Sequence, residues 1–328
     1  MQLYRLRRRE VISLLGSAAA WPRVARAQQS VAVVGILNAA SSESAFYMAG
    51  FREGLRDAGY VEGQNVTLEF RWAEGHYERL PALAAELVRH PVSVIVAGGI
   101  PPLMAAKAAT STIPIVFSSA GDPVRLGVVA SLSRPGGNIT GISHFGVALA
   151  PKRLQLLLEL VPAVTLIAVL ENPTNPRTDL EVTELQEAAR TTGKRLLTVR
   201  AGSENDFDNA FTTLVRAGAG GLLVAGEPLF ILWRKQLVML AARYAIPAIY
   251  DYRDFTAVGG LLSYGIDLKE MYRLVAGHVA RVLKGAKPAE LPILQPTKFE
   301  LVINLKTAKA LGLDMPLHFQ QLADEVIE

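Results

Sequence analysis

The sequence predicts an α/β protein of two similar lobes, each a doubly wound parallel sheet. Three observations predict it. The apolar runs are short and β-branched with no polar residue at alternate positions, as in VAVVGIL at 31–37, the pattern of strands covered on both faces. Stretches of helical period separate them. The alternation then begins again at Thr165 and repeats its own details: Ile95-Val96-Ala97-Gly98 answers Leu223-Val224-Ala225-Gly226, and Ile113-Pro114-Ile115 answers Ile246-Pro247-Ala248. Strands alternating with helices imply parallel sheets. A single long doubly wound sheet is the competing architecture.

The elements follow in order. After the strand at 31–37, Phe46, Ala49, Phe51, Leu55 and Ala58 form an apolar helical stripe that Gly59 stops. A strand at 66–72, a helix at 80–90 and a strand at 92–99 come next. A helix at 101–110 has proline in its first turn, and a strand at 113–118 closes the first pass. The second pass predicts strands at 165–172, 194–201, 221–226 and 246–251, with helices at 179–193, 207–218 and 229–245. The remaining stretches at 259–265, 267–284, 291–304 and 305–313 are too few for a third domain. They predict a return to complete the first lobe and a re-entry into the second. Lobe 1 is then 28–142 plus 262–296, and lobe 2 is 143–261 plus 297–328. Crossings fall near Thr140–Ser143, Leu261–Gly265 and Pro292–Lys298, and three strands make a hinge.

Composition bounds the function. Half the 328 residues are hydrophobic and the net charge is only +4, which excludes a disordered chain. The absence of Cys excludes disulfides, zinc–thiolate sites, a cysteine nucleophile and a cysteine-held lipid anchor. Residues 1–27 have the export-signal layout: Arg5, Arg7, Arg8 and Arg9, an apolar run from Val11 to Trp21, then Ala25-Arg26-Ala27. That run is too short to span a bilayer. Arg8-Arg9-Glu10-Val11-Ile12 resembles a twin-arginine signal with Val11 where Phe is usual, and ordinary secretion is the competing route. Taking this leader's six Arg and one Glu from 34 basic and 30 acidic residues leaves 28 and 29. The sequence pI near 9.3 therefore belongs to the leader, and no nucleic-acid partner is expected.

No catalytic constellation stands out. His76, His90, His144, His278 and His318 show no helical metal-binding spacing, and no phosphate-cradling glycine loop follows a strand. Neither metal nor cofactor is expected. Ser143 beside His144 reads as coincidence, because adjacent residues on an extended chain face opposite sides.

Ligands of open α/β sheets bind beyond the carboxyl ends of the strands. Those ends offer Asn38, Ser41, Ser42, Gly98, Gly99, Ser118 and Asp122 in the first lobe. The second offers Asn172, Asn175, Glu227, Tyr250 and Arg253, with Phe145 and Tyr264 near the crossings. Short hydroxyl, amide and acid groups beside helix N-termini suit a small polar group, and aromatic side chains suit a flat body. Each also has a plainer reading: Asn38, Ser42, Asn172 and Glu227 as helix caps, Asp122-Pro123 and Asn172-Pro173 as turn formers, Arg253 as a surface ion-pair partner.

At these residues the sequence resembles the ABC-transporter substrate-binding proteins of the tryptophan/tyrosine-binding type. The stretches that carry the resemblance are FREGLRDAGYVEGQNV, IPIVFSSAGDPVRLGVVASLSRPGGNITG, NPTNP, IPAIY, GGLLSYGID and KFELVINLKTAKALGL. It implies a type I periplasmic binding fold, a monomeric periplasmic receptor closing on a small-molecule solute, with an aromatic amino acid or aromatic acid as the leaning class, and docking to an ABC permease in the inner membrane. It implies ligand contacts at loops including Asp122, Asn172, Asn175 and Glu227. In two places the chain departs from the pattern. His144 stands where amino-acid-binding relatives tend to carry an acid, and the lipid-accepting Cys of many relatives is missing, which implies a freely diffusing receptor. The expected mechanism is hinge closure. Asp122 and Glu227 would recognise a cationic or hydroxyl group, Asn38, Ser41 and Asn172 would hydrogen-bond, and Phe145, Tyr250 and Tyr264 would form an apolar wall. Asp122→Ala is expected to weaken binding at least about tenfold. A ligand-sensing periplasmic domain of a signalling system and an exported α/β enzyme are the alternatives.

Overall fold

The structure, a computed structural model, describes residues 31–42, 46–144 and 146–328. The leader and Phe145 lie outside the described residues. The first pass builds β1 (Ala32–Asn38), α1 (Met48–Asp57), β2 (Val66–Trp72), α2 (Leu80–Arg89), β3 (Val94–Gly98), α3 (Ile100–Ala109), β4 (Ile115–Ser119) and β5 (Ile139–Ser143). Its five strands run parallel in the order β2-β1-β3-β4-β5. β3, β4 and β5 are buried along their whole length, which is why their sequences carry no polar face.

The second pass builds α4 (Ala150–Leu160), β6 (Leu166–Glu171), α5 (Thr178–Thr191), β7 (Arg195–Arg200), α6 (Phe207–Arg216), β8 (Gly221–Val224), α7 (Pro228–Leu232), α8 (Arg234–Arg243), β9 (Ala248–Tyr250), α9 (Arg253–Thr256) and β10 (Leu262–Gly265). After α10 (Leu268–Leu283) come β11 (Glu300–Asn304), α11 (Leu305–Ala310), α12 (Leu317–Leu322) and β12 (Glu325–Ile327). The larger sheet runs β12-β11-β10-β9-β8-β6-β7, with β10 and β11 antiparallel. Two parallel-sheet α/β lobes result.

Three expectations change. Leu262–Gly265 does not join the first lobe's sheet: β10 pairs with β9 and β11 in the larger one, so the chain crosses after Gly265. Residues 139–143 form a full strand along β4, not only a crossing. The helix expected over 229–245 breaks at Trp233 into α7 and α8.

Helix α10 belongs with the first sheet because it packs on α1 and behind β3, β4 and β5. Two glycines four apart on α1 permit this. A Cβ at Gly50 would lie 2.0 Å from the Lys269 carbonyl oxygen, and one at Gly54 2.6 Å from that of Arg273. The third crossing returns along the sheet edge, where Leu294 bridges Ile142 and Thr140 Oγ1 donates to the Leu291 carbonyl at 2.8 Å. One apolar cluster runs without a break from Phe51, Tyr47 and Tyr272 to Ile231, Tyr252 and Phe255. The carboxyl ends of the two sheets are thus pressed together.

Candidate functional site

Between those carboxyl ends lies a cavity of about 50 Å³. From the first lobe it is lined by Asn38, Tyr47, Gly98, Gly99, Ile100, Ser118 and Ser119, and by Met271 and Tyr272 of α10. The second lobe contributes Asn175, Arg177, Gly226, Pro228, Ile231 and Tyr252, and His144 stands at the first crossing. The contributing strands supply their last residues or the loops after them, so the polar groups converge because the sheets end there.

On the first-lobe side the fit is close. Tyr47 and Tyr272 stack at 4.4 Å between ring centroids. Asn38 Nδ2 donates to Tyr272 Oη at 3.2 Å, and Asn38 Oδ1 accepts from the Ala40 N–H at 2.9 Å. A Cβ at Gly98 would lie 2.2 Å from Asn38 Nδ2 and 2.6 Å from Tyr272 Oη, so only glycine leaves that pair in place.

The second-lobe side carries buried charge. Arg177 Nη2 donates to the Gly226 carbonyl and pairs with Glu181 at 2.9 Å, while Arg177 Nη1 has no hydrogen-bond partner. Behind it Arg153 Nε lies 2.9 Å from Asp251 Oδ1. Burial pushes the Asp251 carboxyl up, opposed chiefly by the Arg153 guanidinium. Glu227 accepts from Asn175 Nδ2 at 2.5 Å, from Asn172 Nδ2 at 3.4 Å and from the Leu229 N–H at 3.5 Å. Burial pushes its carboxyl up to about 8. Burial, reinforced by Arg177, pulls the His144 imidazole down to about 3, which leaves the ring neutral.

Several contacts span the gap. Tyr77 Oη, from the loop before α2, donates to the Glu227 carboxyl. A Cβ at Gly99 would lie 3.1 Å from Pro228 Cγ. The Arg234 guanidinium sits 5.3 Å from the Phe46 ring centroid.

Of the residues the sequence singled out, Asn38, Gly98, Gly99, Ser118 and Asn175 line this cavity. Asn172 and Glu227 sit behind the lining, tied to each other. Ser41 and Ser42 follow the lining residue Ala40 but do not line the cavity themselves. Four others are elsewhere. Asp122 Oδ1 accepts from the Val124 and Arg125 N–H groups at 2.9 and 3.3 Å and borders a separate groove. Tyr250 is buried and stacked on Phe255. Arg253 pairs with Glu300 and Glu325 at the far edge of the larger sheet. Tyr264 leans on Phe299 at 6.4 Å. Sequence reading missed Arg177, Tyr272 and Met271 as lining residues and set His144 aside. Arg177 stands directly after the NPTNP stretch, and Met271-Tyr272 open the helix after the second crossing; those positions were the available signals. Among the described residues no His, Asp and Glu side chains group to hold a metal ion, and no helix is long and apolar enough to cross a membrane.

Comparison with known proteins adds three findings. Residues 30–327 match the family described as ABC transporter substrate binding protein. The tyrosine-binding protein of Clostridioides difficile (strain R20291) is 29% identical over 266 residues, covering 80% of this chain and 76% of its own. Among solved structures, an ABC domain in complex with L-Trp from Streptococcus pneumonia superposes with a TM-score of 0.83 at 25% identity, covering 91% of this chain and 100% of that one. A substrate binding protein from Clostridium difficile in its ligand-free, open form gives 0.64 at 24% identity, covering 90% and 99%.

Proposed function

We propose, from the premise that this chain belongs to the ABC transporter substrate-binding protein family, that it is an exported periplasmic receptor closing on a solute with a flat apolar body. One observation carries this: a single cavity is assembled from the carboxyl ends of both sheets, with Tyr47 and Tyr272 stacked on one side and Asn175 and Arg177 on the other. No ligand could touch both sets unless the lobes close, so a ligand stabilises the closed form by its differential affinity. The TM-scores favour a closed arrangement. Identity to the two neighbours is nearly equal, yet the L-Trp complex scores 0.83 and the open, ligand-free form 0.64. The aromatic solutes named for the relatives fit the stacked tyrosines and support a flat apolar solute here.

In this reading the leader at 1–27 directs export, the receptor diffuses as a monomer, and the closed form docks to a membrane permease. Residues Asn38, Gly98, Gly99, Ser118 and Asn175 contact the solute directly, and Asn172 and Glu227 position them. The test is small-angle scattering with a thermal-shift panel of aromatic amino acids, aromatic acids, sugars and polyamines. A true solute shrinks the radius of gyration, raises the unfolding midpoint and is released unchanged. Profiles that stay the same with every compound, or turnover of any of them, would overturn the receptor reading.

A further inference from the structure

We propose that the solute is an organic carboxylate carrying no ammonium group, and that the Nη1 edge of Arg177 is its anchor. The inference rests on the receptor reading above and adds the charge of the ligand. Arg177 is 3% exposed, lines the cavity, and spends its Nη2 on Gly226 and Glu181. Its Nη1 is buried and makes no hydrogen bond within the fold. A buried donor left unmatched costs about 1–3 kcal/mol, and more when it is charged. A carboxylate entering the cavity supplies the missing acceptor with a short, charge-assisted bond.

The rest of the lining offers a cation no counter-ion. Among the described residues Arg177 is the one charged group lining the cavity, and no carboxylate does. The carboxylates behind it are set against cations or donors, although Glu181 Oε1 and Asp251 Oδ1, like Arg177 Nη1, make no hydrogen bond. Glu181 faces Arg177, Asp251 faces Arg153, and Glu227 takes hydrogen bonds from Tyr77, Asn172 and Asn175. Burial also favours the neutral form of Glu227 at pH 7. An ammonium placed here would be desolvated beside a guanidinium with no counter-ion to meet it. The other polar lining groups, Asn38, Ser118, Ser119, Asn175 and a neutral His144, can orient oxygen atoms but cannot neutralise a cation. Ile100, Ile231, Met271 and the rings of Tyr47, Tyr252 and Tyr272 offer a largely apolar surface for the remainder of the molecule. An aryl-substituted monocarboxylate satisfies both halves.

The test is calorimetry on the purified protein with ring-matched sets: hydrocinnamate, its amide, phenethylamine and L-phenylalanine; then indolepropionate, tryptamine and L-tryptophan. In each set the carboxylate should bind at least about tenfold more tightly than the amino acid, with the amine, and in the first set the amide, weaker still. Arg177→Lys keeps the charge but loses the planar fork, and should weaken the carboxylate by at least about tenfold. If that variant does not fold, the ring-matched series on the native protein decides alone. Amino acids that bind as tightly as their deaminated counterparts would overturn this inference and leave the receptor reading intact. Silence across the whole panel, extended to sugars and polyamines, would overturn both.

Discussion

The two sheets meet the same cavity with different chemistry. The first lobe offers shape without charge: a stacked tyrosine pair, an asparagine held by Tyr272, and glycines at the end of β3 that let these groups close up. The second lobe offers charge without much shape: Arg177 at the surface of the cavity, with Arg153, Glu181, Asp251 and Glu227 buried around it. A ligand held by one lobe therefore has either its outline or its charge matched, and only closure tests both. Specificity then grows out of the closing equilibrium, since a molecule that satisfies one side alone has little differential affinity for the closed form.

The sharpest way to break this contrast is to remove charge where it is deepest. Arg153 Nε pairs with Asp251 at 2.9 Å, its Nη1 donates to the Tyr264 carbonyl at 3.3 Å, and its Nη2 donates to the Gly146 carbonyl. It thereby fastens the first crossing to the strand that leads into the second. Arg153→Met leaves Asp251 and Glu181 sharing Arg177 alone, and should cost about 3–5 kcal/mol, the largest effect of any change considered. Chemical denaturation measures it. Adding Asp251→Asn should recover part of the loss, and a single variant as stable as the native chain would show that the buried charges are not coupled.

On the first lobe the matching change is one methyl group. Gly98→Ala forces Asn38 and Tyr272 apart, at a stability cost of about 1–3 kcal/mol. Both side chains line the cavity, so affinity for the tightest solute should fall by at least about tenfold. Calorimetry and denaturation on the same sample separate the two effects. Loss of stability with affinity intact would mean the solute does not lie against Tyr272.

The contact between the lobes should respond more gently, and to pH. Tyr77→Phe removes the hydroxyl that reaches Glu227 across the gap, and should weaken closure by about 0.5–1.5 kcal/mol. Glu227 itself, raised from 4.5 to about 8, holds a proton in the folded protein that the unfolded chain has released. Its contribution to stability therefore falls as pH rises through that window. His144, lowered from 6.5 to about 3, acts oppositely and adds stability as pH rises between those values. His144 and Glu227 oppose each other below about 6.5; Asp251, raised to about 7, adds to the decline up to that pH, and the Glu227 trend stands clear between about 7 and about 8. Glu227→Gln should flatten that decline in unfolding midpoint; parallel pH curves for the two proteins would show that Glu227 is ionised in the fold.

The sequence made the strands legible because β3, β4, β5, β6 and β8 are covered on both faces and so read as unbroken apolar runs. It made Asn38, Gly98, Gly99, Ser118 and Asn175 legible because parallel sheets end where ligands enter. The same rule picks the wrong neighbour when a side chain alternates inward. Tyr250 ends β9 and turns into the core, while Tyr252, two residues on, reaches the cavity. Long-range partners were invisible: Arg253 needs Glu300 and Glu325, from strands that pair only in the fold. Tyr272 meets Asn38 across 234 residues. Assigning Leu262–Gly265 to the wrong lobe has a similar cause, since an apolar run cannot say which of two equally apolar sheets it joins.

Asp122 gives the smallest expected effect on affinity and the finest test of where the first lobe stops reading the solute. Its place just after a strand end predicts a ligand contact, and a tenfold loss on removal. In the fold its carboxylate instead closes a turn onto Val124 and Arg125. It borders a separate groove of about 340 Å³ with Arg125, Leu132 and Gln295. Asp122→Ala should therefore leave solute affinity within about twofold, while costing about 0.5–2 kcal/mol of stability as any lost short-range cap does. Titration of the tightest ring-matched carboxylate into this variant measures the first quantity, and denaturation the second. A tenfold loss of affinity would mean that the solute extends past Ala120 into the groove, and that the first lobe reads a polar group as well as a shape.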